Sequence, residues 1–182
     1  MIRMNLELKI LDPDCKDIKT FEKINNEAFP IYERMCMDEI FSFASDTDTD
    51  VPGIYDNSLP IGFAVILKNE KCGYLYYLAI DKSFRSKGYG GAALKKIIAS
   101  YPDLQIILDF EEIDVNAENN NQRIRRKNFY LKNGFYETGF YTLLGEIRFE
   151  VVCSELPLRK ESFCDLLNIL HAHRPEFSDR LI

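Results

Sequence analysis

Arg85-Ser86-Lys87-Gly88-Tyr89-Gly90-Gly91 joins a run of apolar residues to a segment with helical periodicity. Glycines let the backbone adopt positive φ angles and approach a ligand closely. The N-terminus of a helix offers unpaired N–H groups and a partial positive charge to an anion. Because Arg85 and Lys87 add full positive charges, the stretch predicts a turn that binds phosphate groups.

The residues on either side of this turn predict a strand before it and a helix after it. Residues 74–80 are aromatic or aliphatic throughout and carry no charge, which is typical of a buried strand. Apolar side chains between Leu94 and Tyr101 recur at the spacing of one helix face, and Pro102 prevents the helix from continuing. The local order is therefore strand, basic glycine turn, helix.

This order of residues resembles that of a known family. Arg85, Gly88 and Gly90, which follow a predicted strand, are similar to the acyl-coenzyme A pyrophosphate loop of the GNAT (Gcn5-related) N-acetyltransferases. About 40 residues downstream, Phe129-Tyr130-Leu131-Lys132-Asn133-Gly134-Phe135 resembles the FYxxxGF helix end of the same family. The two motifs in this order are more specific than the loop alone. The resemblance covers about residues 5–150.

The resemblance implies an α/β fold with a mixed, mostly antiparallel central sheet and helices on both of its faces. We expect one acetyltransferase domain over residues 1–152, followed by a C-terminal extension over residues 153–182 that packs on the same domain. The composition agrees, because 182 residues of which 46% are hydrophobic can supply one core. The remaining sequence predicts strands at residues 4–11, 61–67 and 104–110, helices at residues 16–28, 33–43 and 118–133, a solvated loop at residues 45–50, and a final hairpin, 136–144 with 146–152, that turns at Gly145.

By the same resemblance, the chain is an N-acetyltransferase. It would move an acetyl group from its co-substrate, acetyl-CoA, to an amine acceptor by direct attack in a ternary complex. Backbone amides of residues 85–91 would bind the pyrophosphate, and the end of the preceding strand would pair with the pantetheine arm. The family pattern thus assigns cofactor binding to Leu78, Ala79, Ile80, Arg85, Ser86, Lys87, Gly88, Tyr89, Gly90 and Gly91.

Acetyl transfer needs an acid for the departing thiolate, and the resemblance assigns that catalytic role to Tyr130. A phenol suits the role because its pKa of about 10 keeps it protonated at neutral pH and lies close to that of a thiol. The alternative for Tyr130 is an ordinary tyrosine of the core or of an interface.

The catalytic base is where this sequence departs from a common family arrangement. Many relatives place a glutamate on the strand before the loop, but residues 74–77 contain no carboxylate. Asp109, Glu111 and Glu112 lie at the end of the next predicted strand, where sheet ends open towards a ligand, and Glu111 is the predicted base. The family's frequent asparagine before the tyrosine is replaced by Arg123.

Two other functions are compatible with the sequence. Residues 88–93 satisfy the G-x-G-x-x-A spacing of dinucleotide-binding oxidoreductases, and Asp109 follows about 20 residues later. Against this function, residues 81–87 separate the glycines from the strand, whereas that fold places them directly after it. A non-catalytic acyl-CoA sensor would keep the loop and lack a working base, which the missing glutamate allows.

Charge is distributed unevenly along a chain whose net charge is −6. Residues 82–96 hold five Lys or Arg and no acid, which suits an anionic cofactor, whereas residues 38–56 hold six acids and no base. The acidic stretch predicts either a solvated loop or a surface that attracts a cationic acceptor. The overall charge argues against nucleic-acid binding, and we expect a small-molecule or peptide amine as the acceptor.

Cysteine usage favours a cytoplasmic location, because the five cysteines form no Cys-x-x-Cys pair and free thiols persist in a reducing compartment. No apolar run is long enough to cross a membrane, so no membrane partner is expected. His171 and His173 are two residues apart and would point in different directions on a helix, so we expect no metal site. As an alternative to packing on its own domain, the C-terminal segment could pack on a second copy in a homodimer.

Overall fold

Residues 4–31 and 33–182 are described by the structure, a computed structural model, so the first three residues of the predicted domain lie outside it. Over this part of the chain the fold is mixed α/β, with five α-helices and an eight-stranded, mostly antiparallel sheet. The elements in chain order are β1 (Leu6–Ile10), α1 (Ile18–Ala28), α2 (Met37–Asp46), β2 (Thr49–Asp50), β3 (Pro52–Asp56), β4 (Leu59–Lys68), β5 (Cys72–Ile80), a 3₁₀ turn (Lys82–Phe84), α3 (Tyr89–Ser100), β6 (Gln105–Glu111), α4 (Asn120–Lys132), β7 (Tyr136–Leu144), β8 (Ile147–Cys153) and α5 (Lys160–His173).

The chain forms two compact units. Of the described residues, those up to 67 and residues 75–100 make the first unit, and residues 68–74 and 101–182 make the second. Strand β5 contributes to both, because its first three residues belong to the second unit and the rest to the first. The domain boundary predicted at residue 152 stays a prediction. None of the helices in the described ranges combines the length and the apolar character needed to span a membrane.

The first unit packs α1 and α2 against antiparallel strands. β3 pairs with both β1 and β4, and the short β2 also pairs with β4. Phe21 of α1, Ile40 of α2 and Phe63 of β4 are buried in one cluster, because both helices turn an apolar face towards the strands. A Cβ atom built at Gly62 would lie 2.3 Å from the carbonyl oxygen of Ala79. Only glycine therefore fits beside the end of β5, the strand that leads into the basic turn.

The second unit contains a short parallel strand pair. Cys72–Tyr74 of β5 pair with Gln105–Ile107 of β6, while β6 pairs antiparallel with β8 and β8 with β7. Helix α5 packs on this unit through Phe163, whose ring meets that of Tyr74 edge to face with the centroids 5.2 Å apart. The parallel ladder ends at Tyr74, and β5 continues beyond it to Ile80.

Two sequence predictions in the first unit are wrong. α2 begins at Met37 instead of residue 33, because Cys36 caps it: the Cys36 backbone N–H donates to the Glu39 carboxylate at 2.6 Å. Residues 45–50 are not one solvated loop, since α2 continues to Asp46 and the next strand, β2, pairs with the apolar β4. The other predicted strands and helices are confirmed, with ends displaced by a residue or two.

Candidate active site

The turn that joins β5 to α3 is held in shape by its own polar side chains. Its 3₁₀ turn is capped by Asp81, whose carboxylate accepts a hydrogen bond from the Ser83 backbone N–H at 2.7 Å. Arg85 Nε donates to the Ile80 carbonyl at 2.8 Å, and Lys87 Nζ donates to the Ser83 carbonyl at 2.7 Å. Both cations thus contact neutral carbonyl groups, so their charges remain available to an anion.

The backbone of this turn passes through the left-handed region just before α3. Ser86 has a φ of 58° and Gly88 a φ of 89°. Helix α3 begins directly afterwards, and the Ala92 N–H donates to the Gly88 carbonyl at 3.1 Å. The N–H groups of residues 89–91 precede that bond and have no partner within the helix. This arrangement can accept an anion, which is the chemistry that the sequence predicts for it.

The side chain of Tyr89, a predicted cofactor-binding residue, is part of the core of the first unit. Only 5% of the residue is exposed, and its hydroxyl donates to Asp56 Oδ2 at 2.7 Å. Its ring meets that of Phe84 edge to face with the centroids 5.2 Å apart. Any contribution of Tyr89 to cofactor binding therefore falls to its backbone N–H.

The end of β5 carries the remaining predicted cofactor-binding residues. Ala79 and Ile80 are buried, and Leu78 is half-buried. Leu78 and Ile80 pack with Tyr89 in an apolar cluster. The parallel ladder ends at Tyr74, so β6 does not pair with residues 78–80, and the Ile80 carbonyl accepts the hydrogen bond from Arg85. Their role in binding the pantetheine arm stays a prediction.

Tyr130, the predicted acid, lies in the second unit within a cluster of aromatic rings. Its ring stacks on Phe110 of β6 with the centroids 5.4 Å apart, and it meets Phe129 and Phe135 edge to face. The segment turns sharply at Gly134, whose φ is 91°. Burial raises the pKa of the Tyr130 phenol above its ordinary value, so the group keeps its proton at neutral pH.

Glu111, the predicted base, is bound by cations from α4. Its carboxylate oxygens lie 2.9 Å from Arg123 Nη2 and 3.5 Å from Arg126 Nη1, and Asn119 Nδ2 donates to one of them at 3.2 Å. Arg123 stands where the resemblance expects an asparagine, and here it pairs with the acid. The role of Glu111 as a base stays a prediction, and its ion pairs give it a second role, the attachment of α4 to β6.

Asp109 forms a polar site that the sequence indicates only in part. Its carboxylate oxygens accept hydrogen bonds from the hydroxyl of Tyr74 at 3.0 Å and from the hydroxyl of Thr142 in a shorter contact. Burial raises the pKa of Asp109 to about 6, although the two hydrogen bonds act in the opposite direction. An acid inside the apolar run 104–110 is the sequence signal for this site. Its partners, 35 and 33 residues away, carry no such signal.

The predicted catalytic residues Tyr130 and Glu111 belong to the second unit, and the predicted cofactor-binding residues all belong to the first. Within the part of the chain that the structure describes, no three His, Cys, Asp or Glu side chains gather into a set that could hold a metal ion. The cysteines are free thiols. Burial raises the pKa of the Cys153 thiol to about 11, which makes it a poor nucleophile.

Comparison with known proteins identifies the class. The sequence profile described as the acetyltransferase (GNAT) family matches residues 18–135, more than half of the chain. The chain therefore belongs to the GNAT acetyltransferase family, which confirms the resemblance and sets aside the dinucleotide-binding oxidoreductase. No curated protein matches the sequence.

Solved structures share the fold at low sequence identity. A protein of Bacteroides thetaiotaomicron assigned to the GNAT family has a TM-score of 0.72 at 20% identity, covering 91% of this chain and 96% of that one. A GNAT acetyltransferase of Elizabethkingia anophelis with acetyl-CoA bound has a TM-score of 0.59 at 12% identity, covering 84% and 99%. The ribosomal-protein-S18-alanine N-acetyltransferase of Escherichia coli has a TM-score of 0.60 at 15% identity, covering 85% and 97%. These similarities confirm the predicted mixed, mostly antiparallel fold.

Proposed function

We propose that this protein is an N-acetyltransferase that moves the acetyl group of acetyl-CoA to an amine acceptor by direct attack in a ternary complex. Family membership supports the reaction. The observation that carries the proposal is the start of α3, where Gly88 at positive φ precedes a turn of N–H groups beside two exposed cations, Arg85 and Lys87. Backbone N–H groups at a helix N-terminus bind phosphate, and acetyl-CoA presents a pyrophosphate.

The first unit would bind the co-substrate through its backbone. We propose that the amides of residues 85–91 hold the pyrophosphate and that Leu78, Ala79 and Ile80 pair with the pantetheine arm. A backbone N–H near the end of β5 would polarise the thioester carbonyl, because an oriented N–H stabilises the negative charge that develops on oxygen. The binding energy thus comes from groups that a side-chain substitution cannot remove, which makes Gly88 the most informative position to change.

The second unit would supply the proton for the leaving group. We propose that Tyr130 gives its phenolic proton to the sulfur as the C–S bond breaks. The phenol holds its proton at neutral pH, as this role requires. The stack on Phe110 supports it as well, because the ring is held in one orientation.

Thermal unfolding and thiol release test the proposal together. Coenzyme A at 100 times its dissociation constant should raise the free energy of unfolding by about 2.7 kcal/mol, and NAD should leave it unchanged. Thiol release from acetyl-CoA should depend on an amine, tested with a polyamine, an aminoglycoside and a peptide with a free N-terminus. Stabilisation by coenzyme A without amine-dependent thiol release would favour the non-catalytic acyl-CoA sensor. That second candidate is supported by the absence of a carboxylate in residues 74–77.

We further propose a cytoplasmic location and a small-molecule or peptide amine as the acceptor. The buried free thiols of Cys72 and Cys153 support a reducing compartment. The protein could form a homodimer, and the alternative is a monomer of 21.2 kDa. Light scattering of the purified protein distinguishes the two by mass.

A further inference from the structure

Asp109 lies within β6, where its carboxylate is oriented by hydroxyl groups. Tyr74 of β5 donates to one oxygen at 3.0 Å, and Thr142 of β7 donates to the other. The residue opposite it on β8 is the apolar Val151, and the Phe163 ring of α5 packs edge to face against Tyr74. Neutral donors from two strands therefore hold this carboxylate in place.

The two neighbouring acids differ from Asp109 in their partners. Glu111 is paired with Arg123 and Arg126, and Glu112 lies 3.4 Å from Arg148 Nε. The carboxylates of Glu111 and Glu112 are thus occupied by ion pairs. The contacts of Asp109 come from neutral hydroxyl groups, which orient the carboxylate without neutralising its charge.

Asp109 also interacts electrostatically with Tyr130. Burial is the main cause of the raised pKa of the Tyr130 phenol; Arg126 lowers this pKa, and the negative charge of Asp109 raises it. Tyr74 from β5 donates to the carboxylate, and the charge of Asp109 acts on Tyr130 from α4; both groups are phenols. The second unit thus places the Asp109 carboxylate close enough for its charge to act on the predicted acid.

Resting on the proposed acetyl transfer, we propose that Asp109 accepts the proton that the acceptor ammonium loses, with Tyr74 and Thr142 as its positioning residues. Its raised pKa supports the role, because a carboxylate that titrates near pH 6 is ionised at neutral pH and is more basic than an exposed one. Asp109 would begin the reaction without its proton and Tyr130 with its own. Asp109 can therefore act as the base and Tyr130 as the acid, and both groups lie within one unit.

The protons and electrons balance in this scheme. A primary ammonium must lose two protons on its way to the amide. Asp109 takes the first and later releases it to solvent. The nitrogen lone pair forms the new C–N bond, and the electron pair of the C–S bond leaves on the sulfur, which takes the proton of Tyr130. The second nitrogen proton restores the phenol through solvent, so each turnover releases one proton.

The pH dependence of kcat at saturating acetyl-CoA and acceptor tests the proposal. The plot of wild-type kcat against pH should contain a rising limb whose midpoint lies near pH 6. Asp109→Asn should abolish the limb and lower kcat at neutral pH by about 100-fold. Thr142→Val and Tyr74→Phe each remove a hydrogen bond that favours the ionised carboxylate, so each should move the limb to higher pH. If Tyr74 and Thr142 had only a structural role, their variants would lose activity while the limb stayed at its wild-type pH.

Three controls separate the possible failures. Glu111→Gln should keep the limb at its wild-type pH, whatever its effect on the rate, and two acceptors whose amines differ in pKa should give the same limb. Coenzyme A should still stabilise Asp109→Asn, which would show that the variant is folded. If that variant does not fold, the direction of the shift in Thr142→Val decides.

Several results would overturn the assignment of Asp109. They are a limb that persists in Asp109→Asn, a limb that disappears in Glu111→Gln, or a limb that stays in place in Thr142→Val. If instead the wild-type protein releases no thiol with any amine, acetyl transfer itself fails, and the role of Asp109 fails with it.

Discussion

The two compact units differ in the kind of atoms that they offer to a substrate. The first unit presents backbone N–H groups at the start of α3, in a turn whose Arg85 and Lys87 are exposed. The second unit presents titratable side chains that are packed among rings and hydroxyl groups, Asp109 and Tyr130 above all. The first unit would act through the geometry of its backbone, and the second through side chains whose proton affinity is changed by burial.

Because of this difference, binding and proton transfer should be separable by mutation. A change of φ at the turn alters where the N–H groups point and changes no titratable side chain of the second unit. A change of a hydroxyl or carboxyl group in the second unit alters proton affinity and leaves the turn intact. Variants in the two units should therefore affect different measured constants.

The largest expected effect is that of Tyr130→Phe in the second unit. We expect kcat to fall by about 100-fold or more, because the sulfur loses its proton donor while the stack on Phe110 is kept. Steady-state kinetics with acetyl-CoA measures this loss. The matched control is Tyr136→Phe, since Tyr136 is 51% exposed in the same unit and should keep its wild-type rate. Equal rates for Tyr130→Phe and the wild type would remove Tyr130 from the mechanism.

The buried carboxyl of Asp109 should make stability depend on pH. Its folded-state pKa of about 6 exceeds its ordinary 3.8, so the folded protein holds the proton more tightly than the unfolded chain. The free energy of unfolding should therefore fall as the pH rises from about 4 to about 6, by up to about 3 kcal/mol. Urea denaturation of the wild type and of Asp109→Asn over this range measures the difference. Parallel curves for the two proteins would contradict the shift.

A smaller effect is expected for Gly88→Ala in the first unit. Gly88 has a φ of 89°, and a Cβ atom there would lie 3.3 Å from Met4 Cε. The strain should cost roughly 1 to 2 kcal/mol and displace the N–H groups of the turn, so the dissociation constant of coenzyme A should rise about 10-fold. Gly145→Ala is the matched control, because Gly145 has a φ of 60° in the hairpin of the second unit. That variant should bind coenzyme A like the wild type.

The smallest effect on binding is expected for Tyr89→Phe, which tests whether only the backbone of Tyr89 takes part in binding. Loss of the hydrogen bond to Asp56 should lower the free energy of unfolding by about 1 to 2 kcal/mol. The affinity for coenzyme A should not change, because the lost hydroxyl lies in the core of the first unit. Denaturation and calorimetry measure the two quantities. An affinity loss as large as that of Gly88→Ala would show that the side chain matters.

The sequence predicted the elements whose local signals agree with their surroundings. Residues 118–133 were expected to form a helix, and α4 covers Asn120–Lys132, because Asn133 and Gly134 mark its end. β3 escaped prediction because it begins with Pro52 and Gly53, residues that favour turns, and burial in the first unit overrides that preference. Local propensity could not reveal such an override.

Within the candidate site, the turn was predictable and the proton-transfer groups were not. Gly88 and Gly90 are close in sequence, so their spacing alone indicates the turn. The surroundings of Asp109 come from Tyr74 and Thr142, which lie 35 and 33 residues away on other strands. The ion pair that occupies Glu111 likewise depends on how α4 packs on β6. Contacts of this kind follow from the fold and have no local signature.

The most direct test of the separation between the two units is a calorimetric titration of coenzyme A into Gly88→Ala and Tyr130→Phe, side by side with the wild type. We expect Gly88→Ala to bind coenzyme A about 10-fold more weakly and Tyr130→Phe to bind it with wild-type affinity despite its lost turnover. Weakened binding in Tyr130→Phe together with unchanged binding in Gly88→Ala would contradict this separation.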